Sequence, residues 1–138
     1  MSFFGVFDTA GSGMTSQRLR MNLTSSNLAN ADTVSSSEGE TYRARQPVFE
    51  AMYDKARNGG QVSTGVKMRE VVESDAPLQR QYDPNHPMAN DEGYIFRPNV
   101  NPMEEMANLI SSQRSYESNL EAFNAAKQMY TRTLQMGR

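Results

Sequence analysis

Cysteine and tryptophan are absent from the 138 residues, and histidine occurs once, as His86. Without thiols the chain forms no disulfide, no thiolate metal site and no cysteine nucleophile. A lone histidine with no cysteine to pair with also leaves no nucleophile–base constellation, so enzymatic activity is not expected. Apolar residues are scarce, at 37% with a mean hydropathy of -0.71. That is a thin supply for a self-sufficient core, although a chain of this length can bury roughly two-thirds of its unfolded surface. No stretch approaches the roughly 20 consecutive apolar residues of a membrane span. Nor does a basic segment precede an apolar run and a small-residue cleavage site, so a cleavable signal peptide is not expected. Fourteen basic against sixteen acidic side chains give a formal charge of -2, with no basic block to neutralise phosphates. Nucleic acid is therefore not an expected partner.

What the sequence does carry is helical periodicity at both ends. The spacing predicts a mainly α fold, with an N-terminal helix over Phe3 to about Asn30, a small β and loop middle region, and a C-terminal helix from Pro102 to about Met136. Asn101 serves as N-cap of the second helix, with Pro102 at the first helical position and Glu104 placed to close a capping box. Glu104 and Glu105 in the first turn and Arg132 near the end complement the helix dipole. Gly137 marks the stop.

Along this helix Met106, Leu109, Gln113, Tyr116, Leu120, Phe123, Lys127, Tyr130 and Leu134 recur at alternating spacings of three and four, the a/d seam of a coiled coil. Gln113 and Lys127 interrupt the seam, as polar residues at such positions do when they fix register. An amphipathic helix packed on its own domain is the plainer alternative. The N-terminal helix repeats with period seven through Phe7, Met14, Met21 and Leu28, with the small or polar Ala10, Gln17, Thr24 and Ala31 between them. That line is a candidate partner seam. Leu19 and Leu23 lie on another face, so one partner cannot cover all of this helix. Gly11 and Gly13 each cost about 1 kcal/mol in a helix interior. The first dozen residues are thus expected to be helical only when packed, with Phe3, Phe4 and Phe7 awaiting a neighbour.

In the middle, Thr33 to Glu40 reads as a serine-rich loop, and Thr41 to Tyr53 and Val66 to Glu73 as strands of a hairpin turned by Asn58-Gly59-Gly60 with Gly65. Four prolines break the stretch that follows, where Leu78, Tyr82, Tyr94 and Phe96 are expected anchors, and no regular structure is predicted from Asp83 to Glu92. His86 sits between Pro84 and Pro87, where a neutral imidazole suits a local hydrogen bond. Asp83, Asp91 and Glu92 lack the ligand spacing of a calcium loop, so no metal site is expected.

Ser25-Ser26-Asn27-Leu28-Ala29-Asn30-Ala31-Asp32-Thr33 reads physically as a helix stop, since asparagines bond freed backbone groups. It also resembles the asparagine-rich signature of the axial proteins of the bacterial flagellum, the rod and hook family. Further segments are similar to the basal-body rod proteins of that family in order and spacing. They are Tyr82-Asp83-Pro84-Asn85-His86-Pro87, Gly93-Tyr94, Arg97-Pro98-Asn99-Val100-Asn101, Glu104-Glu105-Met106, Arg114-Ser115-Tyr116 and Lys127-Gln128-Met129. Ser12-Gly13-Met14 and Gln17 to Asn22 extend the likeness to the start of the chain. Met88-Ala89-Asn90 departs from it, because the family usually has an acidic residue directly after the His-Pro pair.

The resemblance implies a structural subunit of the proximal rod, exported through the flagellar type III apparatus and assembled in the periplasm around a channel. It implies that residues 1–33 and 102–138 pair as an inner coiled-coil domain, with 34–101 packed outside. Expected partners are copies of the chain, other rod proteins, the adapter between rod and MS ring and, during secretion, the export apparatus. No cofactor and no small-molecule substrate are implied. A secreted type III protein that uses its heptads to dock a chaperone or target is the alternative.

Overall fold

Two terminal helices frame the chain. The structure is a computed structural model and describes residues 3–55 and 61–137. Helix α1 spans Phe3–Asn30 and helix α2 spans Pro102–Met136, the bounds the sequence patterns predict. Asn101 caps α2 by accepting the Met103 N–H at 3.1 Å, and Pro102 costs nothing where the backbone N–H has no partner. The capping box is only half formed, since among the described residues Glu104 does not bond back to Asn101.

Between the helices lie two antiparallel hairpins. Strands β1 (Arg45–Lys55) and β2 (Gln61–Glu73) pair from Arg45↔Glu73 to Lys55↔Gln61. The expected turn at Asn58-Gly59-Gly60 falls outside the described residues. Gly65, expected in that turn, lies instead inside β2 opposite Met52. Strands β3 (Gln79–Tyr82) and β4 (Tyr94–Arg97) form a second hairpin that the prolines concealed. Its connection carries the irregular segment expected from Asp83 to Glu92. Ser35 adds a short bridge to Phe96, exchanging N–H···O bonds of 3.0 and 2.9 Å.

The core is small. Ile95, Phe96, Val100 and Ala44 are buried in the middle region, with Pro98 wholly enclosed, and Ala10 and Ala126 are buried between the helices. Of the four expected anchors, Phe96 is buried and Tyr94 half-buried. Tyr82 stays 63% exposed, edge-on to Tyr94 at 5.1 Å.

Candidate assembly site

The helices run antiparallel, because early α1 meets late α2. Phe7 packs edge-to-face on Phe123 at 5.0 Å, and a Cβ at Gly13 would lie 3.0 Å from the Asn119 amide nitrogen. That close approach explains Gly13, whose place in a helix interior is otherwise a cost. The buried positions of α2 are Glu105, Ser112 and Ala126, and Asn119 continues the same seven-residue repeat. Opposite them on α1, Ala10, Thr24 and Asn27 are buried. Small and polar side chains thus line this contact, with the Asn119 amide lying over Gly13.

The predicted seam of α2 splits on this geometry. Leu109, Tyr116 and Phe123 are half-buried and border the contact. Met106, Leu120, Tyr130 and Leu134 are 49%, 39%, 40% and 57% exposed. In the buried line, the residue one position earlier takes the place of Met106 and Leu120, so the helix is rotated by a fraction of a turn from the predicted facing. Met106, Leu120 and Leu134, with Met103 and Ile110 beside them, leave apolar side chains exposed along one flank of α2, while Met129 and Met136 are exposed on the other. On α1, Phe7, Met14, Met21 and Leu28 are all half-buried, and Met14 shares a shallow groove with Tyr116. The side chains of Phe3 and Phe4 lie outside those described.

Two asparagines grip the start of β1, one from α1 and one from the loop before α2. Asn27 is 1% exposed, and its side chain treats β1 as a neighbouring strand would. Its Nδ2 donates to the Arg45 carbonyl at 2.9 Å, while its Oδ1 accepts from the Arg45 N–H at 2.9 Å and the Tyr42 hydroxyl at 2.8 Å. From the other side, Asn99 Oδ1 accepts from the Ala44 N–H at 2.8 Å, and its Nδ2 donates to the carbonyls of Ser74 and Ala76 at 3.1 and 2.8 Å. Consecutive residues are therefore clamped by one amide each. Asn30 does what a helix-stop asparagine is expected to do, donating from Nδ2 to the Ser26 carbonyl at 2.8 Å. Ser26 itself lies 3.4 Å from the Tyr42 hydroxyl.

Glu105 is 8% exposed at the base of a cleft of about 430 Å³ that Arg20, Thr24, Asn27, Arg45 and Phe49 help to line. Burial raises its carboxyl above the usual range. The Asn27 amide opposes that shift, Glu104 adds to it, and Arg20 opposes it. His86 makes the local contact expected of it, its Nδ1 accepting from the Met88 N–H at 3.1 Å. Among the described residues no group of three His, Asp or Glu is placed to hold a metal ion.

The ends that carry this geometry are also the ends that match known families. Residues 7–34 match the family described as flagella basal body rod protein, and residues 91–136 match the flagellar basal body rod FlgEFG protein C-terminal family. The flagellar basal-body rod protein FlgC of Salmonella typhimurium is 44% identical over 137 residues, covering 99% of each chain. The chain belongs to the family of FlgC flagellar basal-body rod proteins. The Escherichia coli O157:H7 relative of the same description is 42% identical at the same coverage, and that of Bacillus subtilis is 38% identical over 150 aligned residues and the whole of both chains. Asn27 and Asn30 fall within the first matched segment, and Pro98, Asn99 and Asn101 within the second. Tyr82, Pro84, His86 and Pro87 lie outside both.

Sequence reasoning found these asparagines but placed only Asn30 and Asn101 at their work. The convergence of Asn27 and Asn99 on Ala44 and Arg45 joins residues far apart in the chain, which no local spacing announces. One signal was available: polar amides at the end of the first helix and just before the second bracket the middle region.

Proposed function

We propose that the chain is a structural subunit of the flagellar proximal rod, transmitting torque in the drive shaft and enclosing the export channel. Residues 1–33 and 102–138 then form a discontinuous inner domain, and 34–101 pack outside it. The observation that carries this is the row of exposed apolar side chains Met103, Met106, Ile110, Leu120 and Leu134 along one flank of α2. A single chain leaves it uncovered, and exposed apolar surface of that extent marks an interface. Its partners are copies of the chain, other rod proteins and the adapter that joins rod to MS ring. The subunit reaches the periplasm through the type III apparatus, and a chain without thiols threads it with no cross-link to reduce.

Electron microscopy of basal bodies from a strain lacking this chain tests the assignment. Rod assembly should stop at the membrane-proximal end and resume when the gene is returned. Complete rods in the deletion strain would exclude it.

A further inference from the structure

The two ends of α2 carry opposite charge. Phe7 sits on Phe123, and from there α2 runs on to Met136 while α1 runs back only to Phe3. The last turns of α2 therefore project roughly 14 Å past the described start of α1. Every residue from 127 to 137 is exposed. Past Glu121 the sequence holds Lys127, Arg132 and Arg138 and no acidic side chain. Lys127 and Arg132 border one face of the projecting turns, with Gln128 between them.

The opposite end of the helix pair is acidic. Glu104 and Glu105 open α2, and the loop that leaves α1 at this end, residues 31–44, holds Asp32, Glu38 and Glu40 against Arg43. Here lies the cleft of about 430 Å³ between α1, β1 and α2, with Glu105 at its base and only 8% exposed. Among the described residues no lysine or arginine forms an ion pair with the Glu105 carboxylate. Arg45 on the cleft wall is engaged by Glu73 at 3.3 Å, and Arg20 reaches Glu105 only through space. A carboxylate buried without a countercharge costs the subunit stability. The cleft above it has room for the side chain that is missing, and the far end of the same helix carries the matching charge.

We propose that copies of the chain join head to tail, the basic last turns of α2 in one copy docking at the Glu105 cleft of the next and supplying its countercharge. Unlike surfaces meet in such a contact, so it repeats from copy to copy, as a polymer requires. The proposal deepens the rod-subunit reading and rests on it.

The absence of native cysteine gives the test a clean background. Asn108 lines the cleft and Gln128 stands on the projecting turns, roughly 30 Å away along the same helix. A disulfide between cysteines at these two positions therefore forms only between copies. Oxidation of the purified full-length Asn108→Cys/Gln128→Cys chain should join position 108 to position 128, read by peptide mass spectrometry, in large excess over 108–108 and 128–128 links. Adding Lys127→Glu/Arg132→Glu should lower that yield about tenfold. Adding Glu105→Gln should lower it as well, although removal of a buried charge makes the subunit itself more stable, which separates loss of the contact from loss of the fold. Links dominated by like positions, or an unaltered 108–128 yield in either charge variant, would overturn the proposal. Should a strain lacking the chain build complete rods, the rod assignment would fall, and the pattern of links would still decide the head-to-tail contact.

Discussion

The two flanks of α2 differ in what they touch. The flank turned to α1 sets Glu105, Ser112, Asn119 and Ala126 beside the half-buried Leu109, Tyr116 and Phe123, and the other leaves Met103, Met106, Ile110, Leu120 and Leu134 exposed. A helix normally buries its apolar stripe and leaves small polar residues in water. Here small residues share the inner flank with part of the apolar surface, as Asn119 does over Gly13, and the rest of that surface remains for something outside the chain. Dispersion at short range holds the pair within one subunit. Burial of the outer stripe is the term left for assembly, at roughly 25 cal/mol per Å² removed from water. On the function proposed above, one helix separates folding of the subunit from polymerisation along its two sides.

The sharpest way to break the inner face is Gly13→Leu. Its branched side chain has no room beside Asn119, and overpacking of this kind costs about 3 kcal/mol. A fall in the denaturation midpoint should follow, and Asn119→Gly in the same chain should recover part of it. Full stability of Gly13→Leu alone would mean that the helices are not closely packed there.

Next in size is Asn27→Ala. It strips the Arg45 N–H, the Arg45 carbonyl and the Tyr42 hydroxyl of their partner in a buried place, at about 2 kcal/mol. Unfolding in urea measures it. Faster exchange of the Arg45 amide than of the α2 amides should accompany the loss.

Glu105 offers a smaller and pH-dependent comparison. Its carboxyl titrates above the ordinary value mainly because burial disfavours the charge. The stability linked to its protonated form is complete below the ordinary carboxylate value and is lost as pH rises through the raised one. Glu105→Gln should therefore be the more stable chain at neutral pH, with the advantage fading in acid. Thermal unfolding of both chains across that range reads it directly, and parallel profiles would remove the burial argument. Smallest of all is His86→Ala, which frees the exposed Met88 N–H to water and should change stability by less than about 0.5 kcal/mol.

Both helices were legible because their signals are local. Asn101, Pro102 and Gly137 punctuate α2, and the asparagines end α1 where Asn30 bonds back to Ser26. Which residues of α2 face α1 was only half legible. Leu109, Tyr116 and Phe123 belong to both the predicted and the observed lines. The choice between Met106 and Glu105, or Leu120 and Asn119, depends on how closely the backbones approach, and hydrophobic periodicity reads greasiness instead of distance. The β3–β4 hairpin was missed because its strands are four residues each and prolines flank them. Gly65 looked like a turn residue, yet it is glycine because Ser12 presses on it. The clamps of Asn27 and Asn99 were out of reach for the same reason, since their partners are set by the fold and not by sequence neighbours.

The central claim is that the outer face of α2 builds the rod while contributing little to the subunit, and Leu120→Asp tests it most directly. Leu120 is 39% exposed in the single chain, so the purified variant should keep its unfolding midpoint and be synthesised and exported as before. Electron microscopy of basal bodies from a strain carrying only this variant should nevertheless show rods that fail to assemble, because a carboxylate in a buried apolar interface costs several kcal/mol. Complete rods and normal swimming with Leu120→Asp would contradict the account.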